Sequence, residues 1–351
     1  MIRSRNFIAT PPGATIKEQL SDRKMNQKEF ASRMEMSEKH ISRLINGEVQ
    51  LTPDVAMRLE MVLGLPARFW NNLESIYREK VALATAENEM DEDIVLSKNF
   101  PYREMAKNGW VQQTNKTEEK VVNLRKFFEI VKLQLLKEDF IPAIACRRMS
   151  VTDKADSALI AWAQKAKIEA RNIITEPINI SKLSSNIEKI RAMTILSPDE
   201  FCPKLINLLS GCGIALVFLP HIEGSFLHGA TFYDKNKIVI GLTVRGKDAD
   251  KFWFSLFHEI AHIIYGHISQ AEGTSKEDEE KADEYAKEVL IPNKTFEAYV
   301  SNASFSRTSI VNFARSINID PGIVVGRLQK YGFIDYSYHN GLKKRYEIKT
   351  Q

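Results

Sequence analysis

Phe257-His258-Glu259-Ile260-Ala261-His262-Ile263-Ile264 decides more about this chain than any other stretch. Its two histidines stand one helical turn apart, so on a helix both imidazoles project from one face toward a single ion. Glu259 sits beside the pair. Its carboxylate reaches a zinc-bound water without occupying a coordination position, as a general base in peptide hydrolysis must. Taken alone, the pattern also fits two hydrogen-bonded histidines on an amphipathic helix. The flanking Phe254, Leu256, Ile260, Ala261 and Ile264 predict a nearly wholly buried helix from Ala249 to His267, where two histidines and a glutamate are costly without partners. One Zn2+ per chain supplies those partners.

A zinc site needs a third protein ligand, and the following helix, Lys276 to Leu290 before Pro292, offers Glu279-Glu280-Lys281-Ala282-Asp283. Glu279 and Asp283 share a face, so the first can bind zinc while the second accepts the other ring N–H of His258. Glu280 competes, but Ala282, Tyr285, Ala286, Val289 and Leu290 mark the buried face and favour Glu279. His228 and His267 are further candidates whose simpler reading is structural. Upstream, Ile214 to Leu219 suits a buried strand, and His228 to Tyr233 with Lys237 to Leu242 form a strand pair about the turn Asp234-Lys235-Asn236. The C-terminal part is therefore expected to be a small α+β unit.

These motifs, with Tyr285-Ala286-Lys287-Glu288-Val289-Leu290-Ile291-Pro292, Phe226-Leu227-His228-Gly229-Ala230-Thr231-Phe232 and Gly322-Ile323-Val324-Val325-Gly326-Arg327-Leu328-Gln329, resemble the ImmA/IrrE family of metallopeptidases. The resemblance spans about Leu205 to Phe333. It implies a gluzincin-like zinc endopeptidase that cleaves or inactivates a transcriptional repressor. Tyr285 stands where that family usually has Phe, and Asp283 where it commonly has Asn; neither change removes a ligand. An edge strand also occupies this place in the family. Gly229, Ala230, Thr231 and Phe232 are accordingly expected to hold an extended substrate by strand addition, facing the cleft above His258 with unpaired backbone groups. Tyr265, Tyr285 and His228 are candidates to stabilise a developing oxyanion.

Near the N-terminus five short helices fit the stretch from Thr15 to about Lys80. Within it, Gln27 to Gly47 fits a helix-turn-helix: Phe30, Ala31 and Met34 pack against Ile41, Leu44 and Ile45, leaving Glu38, Lys39, Ser42 and Arg43 outward to reach base edges. Ser37 is a plausible N-cap, and the helix start at Gln27, with Lys28, offers N–H groups and charge to a phosphate. Pro12 to about Tyr77 resembles the HigA branch of XRE-type DNA-binding domains. That implies binding to a double-stranded DNA operator, usually as a homodimer on an inverted repeat. Glu35 departs from the pattern, because the turn commonly carries Gly and a left-handed Glu costs roughly 1 kcal/mol.

The chain of 351 residues is long enough for two or three domains, and its net charge of +4 argues only weakly for nucleic acid. Three cysteines without CxxC spacing indicate neither a disulfide framework nor a cysteine zinc site. No stretch has the length of a membrane span or the form of a signal peptide, so a cytoplasmic protein with no membrane partner is expected. The expected class is mainly α: an all-α DNA-binding domain at 1–80, a helical middle or linker region at 81–200, the α+β zinc peptidase domain at 201–335, and a tail at 336–351. The leading expectation is a DNA-binding regulator whose peptidase acts on a separate repressor or on its own chain. The alternative is a HigA-like antitoxin or autorepressor whose zinc fold is a non-catalytic binding module.

Overall fold

A computed structural model describes residues 2–4, 8–88, 90–137, 153–222, 229–244, 247–269, 274–302 and 304–348. The chain divides into two compact units, one ending at Glu92 and the other starting at Asp93.

In the first unit a short antiparallel pair, β1 (Ile2–Arg3) and β2 (Ile8–Ala9), precedes five helices. These are α1 (Gly13–Asp22), α2 (Gln27–Arg33), α3 (Glu38–Ile45), α4 (Pro53–Leu63) and α5 (Ala67–Asn88). Local chemistry sets their ends. Asn26 caps α2 by accepting from the Glu29 N–H at 2.8 Å, and Ser37 and Thr52 cap α3 and α4 in the same way. Phe30, Ala31 and Met34 pack with Ile41, Leu44, Ile45 and Trp70 in one core. Gly13 is required there, since a Cβ on it would lie 1.9 Å from the Ile45 carbonyl oxygen.

Glu35, between α2 and α3, is left-handed with φ of 55°. Its carboxylate only meets the Arg58 guanidinium at 3.3 Å on the surface, a contact of small value. Glu35→Gly is therefore expected to stabilise this unit by about 1 kcal/mol, read from urea unfolding. An unchanged or lowered midpoint would show that no strain resides at this turn.

The second unit is built around one sheet. Its helices are α6 (Asp91–Ser97, straddling the division), α7 (Tyr102–Lys107), α8 (Thr117–Phe128), α9 (Asp153–Ala170), α10 (Ile180–Ser185), α11 (Ile187–Ala192) and α12 (Pro198–Ser210). Strands β3 (Ile214–Phe218), β4 (Gly229–Asp234) and β5 (Lys237–Leu242) follow. Then come α13 (Ala249–Ile264), α14 (Lys276–Leu290), α15 (Asn293–Asn302), α16 (Arg307–Ser316) and α17 (Pro321–Lys330). The strand order is β3-β5-β4, with β3 parallel to β5 and β4 antiparallel to it. Alternation along the strands gives the sheet two apolar faces. Ile214, Leu216, Ile238, Ile240 and Leu242 join the core of α12 and α13. Ala215, Val217, Ala230, Phe232 and Val239 join Trp162, Ala166, Phe127 and Leu124 of α8 and α9.

Three sequence expectations need correction here. The helical region expected at 81–200 does not stand apart: among its described residues, those up to Glu92 fall in the first unit and those from Asp93 in the second, where α9 covers the second apolar face of the sheet. Residues 336–348 are not a free tail: Tyr346 is buried in the α13 core, its hydroxyl accepts from the Trp253 indole N–H at 3.1 Å, and Ala249 N–H donates to the Lys344 carbonyl at 3.0 Å. The helix expected to reach His267 stops at Ile264, because Gly266 turns left-handed with φ of 74°. The helix α15 was not expected from the sequence pattern.

Candidate metal centre and nucleic-acid interface

The antiparallel neighbours α13 and α14 bring together His258, His262 and Glu279, whose ligand atoms all lie within 4.8 Å of one another. The Nε2 atoms of the two histidines are 3.0 Å apart, and Glu279 places Oε2 at 3.3 Å from His258 Nε2 and Oε1 at 3.6 Å from His262 Nε2. Glu280 points away from them, 68 % exposed and near Lys276. Two imidazole nitrogens and one carboxylate oxygen form a donor set that fits Zn2+ with a position left for water or substrate.

A second ring of groups orients these three. Asp283 Oδ1 lies 2.9 Å from His258 Nδ1. His267, in the short turn His267–Ser269 that Gly266 creates, places its Nδ1 3.0 Å from His262 Nδ1 and its Nε2 3.3 Å from Asp278 Oδ1. One proton arrangement satisfies every partner: His262 Nδ1–H donates to His267 Nδ1, and His267 Nε2–H donates to Asp278. His258, held protonated, then turns Nδ1–H to Asp283 and Nε2–H toward His262 Nε2 and Glu279, and a metal at the common point would take the place of that Nε2 proton. Asp278 also closes the capping box of α14 with Ser275. The Thr274 hydroxyl donates to Glu279 Oε1 at 2.6 Å.

Glu259 is buried, 5 % exposed, and its Oε2 accepts from the Thr231 hydroxyl at 2.5 Å. Burial pushes its carboxyl up to about 7, against the opposing pull of the His258 cation and the Thr231 hydrogen bond. Gly229 packs against it; a Cβ there would sit 2.7 Å from Glu259 Oε1. Gly229 and Thr231 thus face α13, whereas Ala230 and Phe232 join the core shared with α9. All four residues are buried. Among the described residues β4 pairs with β5 alone, so its other edge has no strand partner. Tyr265 and Tyr285 stack edge-on with centroids 5.7 Å apart, and burial raises Tyr285 to about 12. His228 lies outside the described residues.

Sequence reasoning weighed His267 as a candidate whose simpler reading is structural and placed Thr231 on the substrate strand; it missed their bonds to His262 and Glu259, and it missed Thr274 and Asp278 altogether. The signal for the His267 contact was Gly266-His267, a helix-stopping glycine followed by a polar ring just past His262.

In the first unit, Gln27, Lys28, Ser37, Glu38, Lys39 and Arg43 are exposed and Ser42 is half-buried. Arg43 lies 3.6 Å from Glu48, so binding through it requires leaving that partner. Lys39 has no such competitor among the described residues. Lys39→Ala is expected to weaken DNA binding about fivefold to a hundredfold at fixed salt, sequence-dependently if it reads a base and uniformly if it touches phosphate. Unchanged affinity in a filter or anisotropy assay would remove α3 as the recognition helix.

Comparison with known proteins places the first unit. A family model described as helix-turn-helix matches residues 16–70. The chain is also similar to an uncharacterized HTH-type transcriptional regulator, YddM, of Escherichia coli K12, with 36 % identity over 80 residues, which is 23 % of this chain and 81 % of that protein.

Proposed function

Because the chain belongs, through its N-terminal unit, to the HTH-type transcriptional regulators, we propose that it couples operator DNA binding to a zinc-dependent endopeptidase in its second unit. The convergence of His258, His262 and Glu279 beside the buried Glu259 carries this reading. The resemblance to ImmA/IrrE metallopeptidases supplies the substrate class, a transcriptional repressor cleaved in trans or this chain itself. DNA binding proceeds as a homodimer on an inverted repeat, with α3 in the major groove.

When bound, Zn2+ supplies a Lewis acid that activates water and polarises the peptide carbonyl. The protein's own groups do the rest. Asp283 and the His267–Asp278 pair fix the tautomers and ring angles of His258 and His262. Thr231 holds one oxygen of Glu259, leaving Oε1 to take a proton from water and pass it to the leaving amine. In the metal-free protein burial raises this carboxyl, which favours its receiving a proton. β4 sets Gly229 and Thr231 over this base, and its edge away from β5, which has no strand partner among the described residues, would align an extended peptide by main-chain hydrogen bonds.

A non-catalytic reading, an antitoxin-like autorepressor with a zinc-held binding module, draws on one observation. Glu259 is deeply buried and hydrogen-bonded, as a purely structural glutamate would be. Zinc analysis of the purified protein together with a Glu259→Gln strain separates the two. Lost derepression with zinc retained supports catalysis; an unchanged response supports the module.

A further inference from the structure

Helix α5 has two faces of different fate. Trp70, Glu74, Tyr77 and Ala84 are buried, and α4 and the β1–β2 pair lie against the helix. On the other face Phe69, Ile76 and Leu83 are 39 %, 50 % and 41 % exposed and recur every seven residues. Seven residues fall within about 20° of two whole turns, so the three stand in one row along the outside of the helix. Half-buried Leu73, one turn before Ile76, and exposed Ala86, one turn after Leu83, fill the same row. A single exposed apolar side chain is ordinary, but a row of them over about 20 Å of helix is the seam of a helix pair.

One step of this row is charged. Glu79 and Lys80 lie between Ile76 and Leu83, both exposed, and neither is ion-paired among the described residues. Reading outward from these two, the row meets Ile76 and then Leu73 in one direction, Leu83 and then Ala86 in the other. Apolar positions thus mirror one another about a point where an acid and a base stand side by side.

We propose that this face of α5 is the dimerisation surface of the chain, occupied by the same helix of a second copy running antiparallel about a two-fold axis between Glu79 and Lys80. Each Ile76 then meets the partner's Leu83, each Leu73 the partner's Ala86, and each Glu79 the partner's Lys80. A parallel pair would set Glu79 beside Glu79 and Lys80 beside Lys80, so charge selects the antiparallel one. Every contact occurs twice, and the interface closes on itself as a dimer rather than growing into a filament. The mirror order also names the occupant, because an unrelated protein would not require apolar and charged positions arranged symmetrically about one point. The choice of a second copy rests on the operator-dimer reading given above, and the metal centre plays no part in it.

The test is sedimentation equilibrium of the full-length chain without DNA over micromolar concentrations. The wild type is expected to dimerise, and Ile76→Glu to weaken the dimer about a hundredfold or more with unchanged helix content by circular dichroism. Glu79→Lys and Lys80→Glu, each alone, set like charges against each other and are expected to weaken it about three- to tenfold, whereas the two together restore it to within about twofold. Met61→Glu, on α4 at a position 87 % exposed, is expected to leave it unaltered. A monomeric wild type would remove the dimer reading and this surface with it. A dimer that survives Ile76→Glu, or that Met61→Glu disrupts instead, would keep the dimer and overturn the α5 seam. Single reversals without effect, or not rescued by the double exchange, would overturn the antiparallel pairing.

Discussion

Glu259→Gln is expected to lower peptide cleavage by about 10²–10⁴-fold while zinc content stays at one per chain. Glutamine has the same length and keeps an oxygen for the Thr231 hydroxyl, so the helix and β4 retain their contact. It removes only the oxygen that receives a proton. The measurement is loss of a repressor band, or of reporter derepression, beside elemental analysis of the same preparation. A full cleavage rate would remove Glu259 from the chemistry; lost zinc would make it a ligand or a structural support.

The second large effect concerns metal retention. Glu279→Ala deletes the carboxylate that lies within 3.6 Å of both ligand nitrogens, and zinc affinity is expected to fall on the order of a hundredfold or more. Affinity should also depend on pH in a defined direction. Burial disfavours a charged His258, but hydrogen bonds to Asp283 and Glu279 outweigh it and raise the metal-free ring to about 10. At neutral pH zinc must therefore displace that proton, and affinity rises about tenfold per pH unit until pH approaches 10. Stability of the metal-free protein runs the other way. A folded pKa raised above the unfolded 6.5 stabilises fully below pH 6.5, and this contribution is lost as pH climbs through about 10. A competition titration with a zinc chelator from pH 6 to 9 checks the first statement. A flat affinity would mean that His258 does not hold the proton, or does not bind the metal. Wild-type affinity in Glu279→Ala would remove it from the ligand set.

The pairing of His258 with His262 was legible because a helix repeats its face every turn, and Glu279 was separable from Glu280 because Ala282, Ala286 and Leu290 mark the buried side of α14. Such arguments work within one helix. The contact of His267 with His262 escaped them because a single left-handed glycine reverses the chain and returns the next side chain beneath the preceding turn. The bond of Thr231 to Glu259 escaped because its partner is a helix residue on a separate element, joined only through strand placement. The helices expected at 81–200 were legible, but not the unit they join, for a related reason. A helical pattern shows which face is apolar but not what covers it, and the cover for α8 and α9 comes from strands later in the chain. The helix-turn-helix was the most readable part, since caps, turns and core contacts all lie within a few dozen residues.

That two-faced sheet has a consequence for synthesis. Leu124, Phe127, Trp162 and Ala166 leave the ribosome well before β3, β4 and β5, the strands that shield them. The indole of Trp162 finds its seat against Gly241 only after β5 has emerged and paired in parallel with β3. Until then a partly made chain carries a sticky, helical intermediate that cannot finish folding. A nascent chain stalled before residue 242 is thus a natural client for chaperones, whereas the N-terminal unit, whose partners are all local, completes itself early.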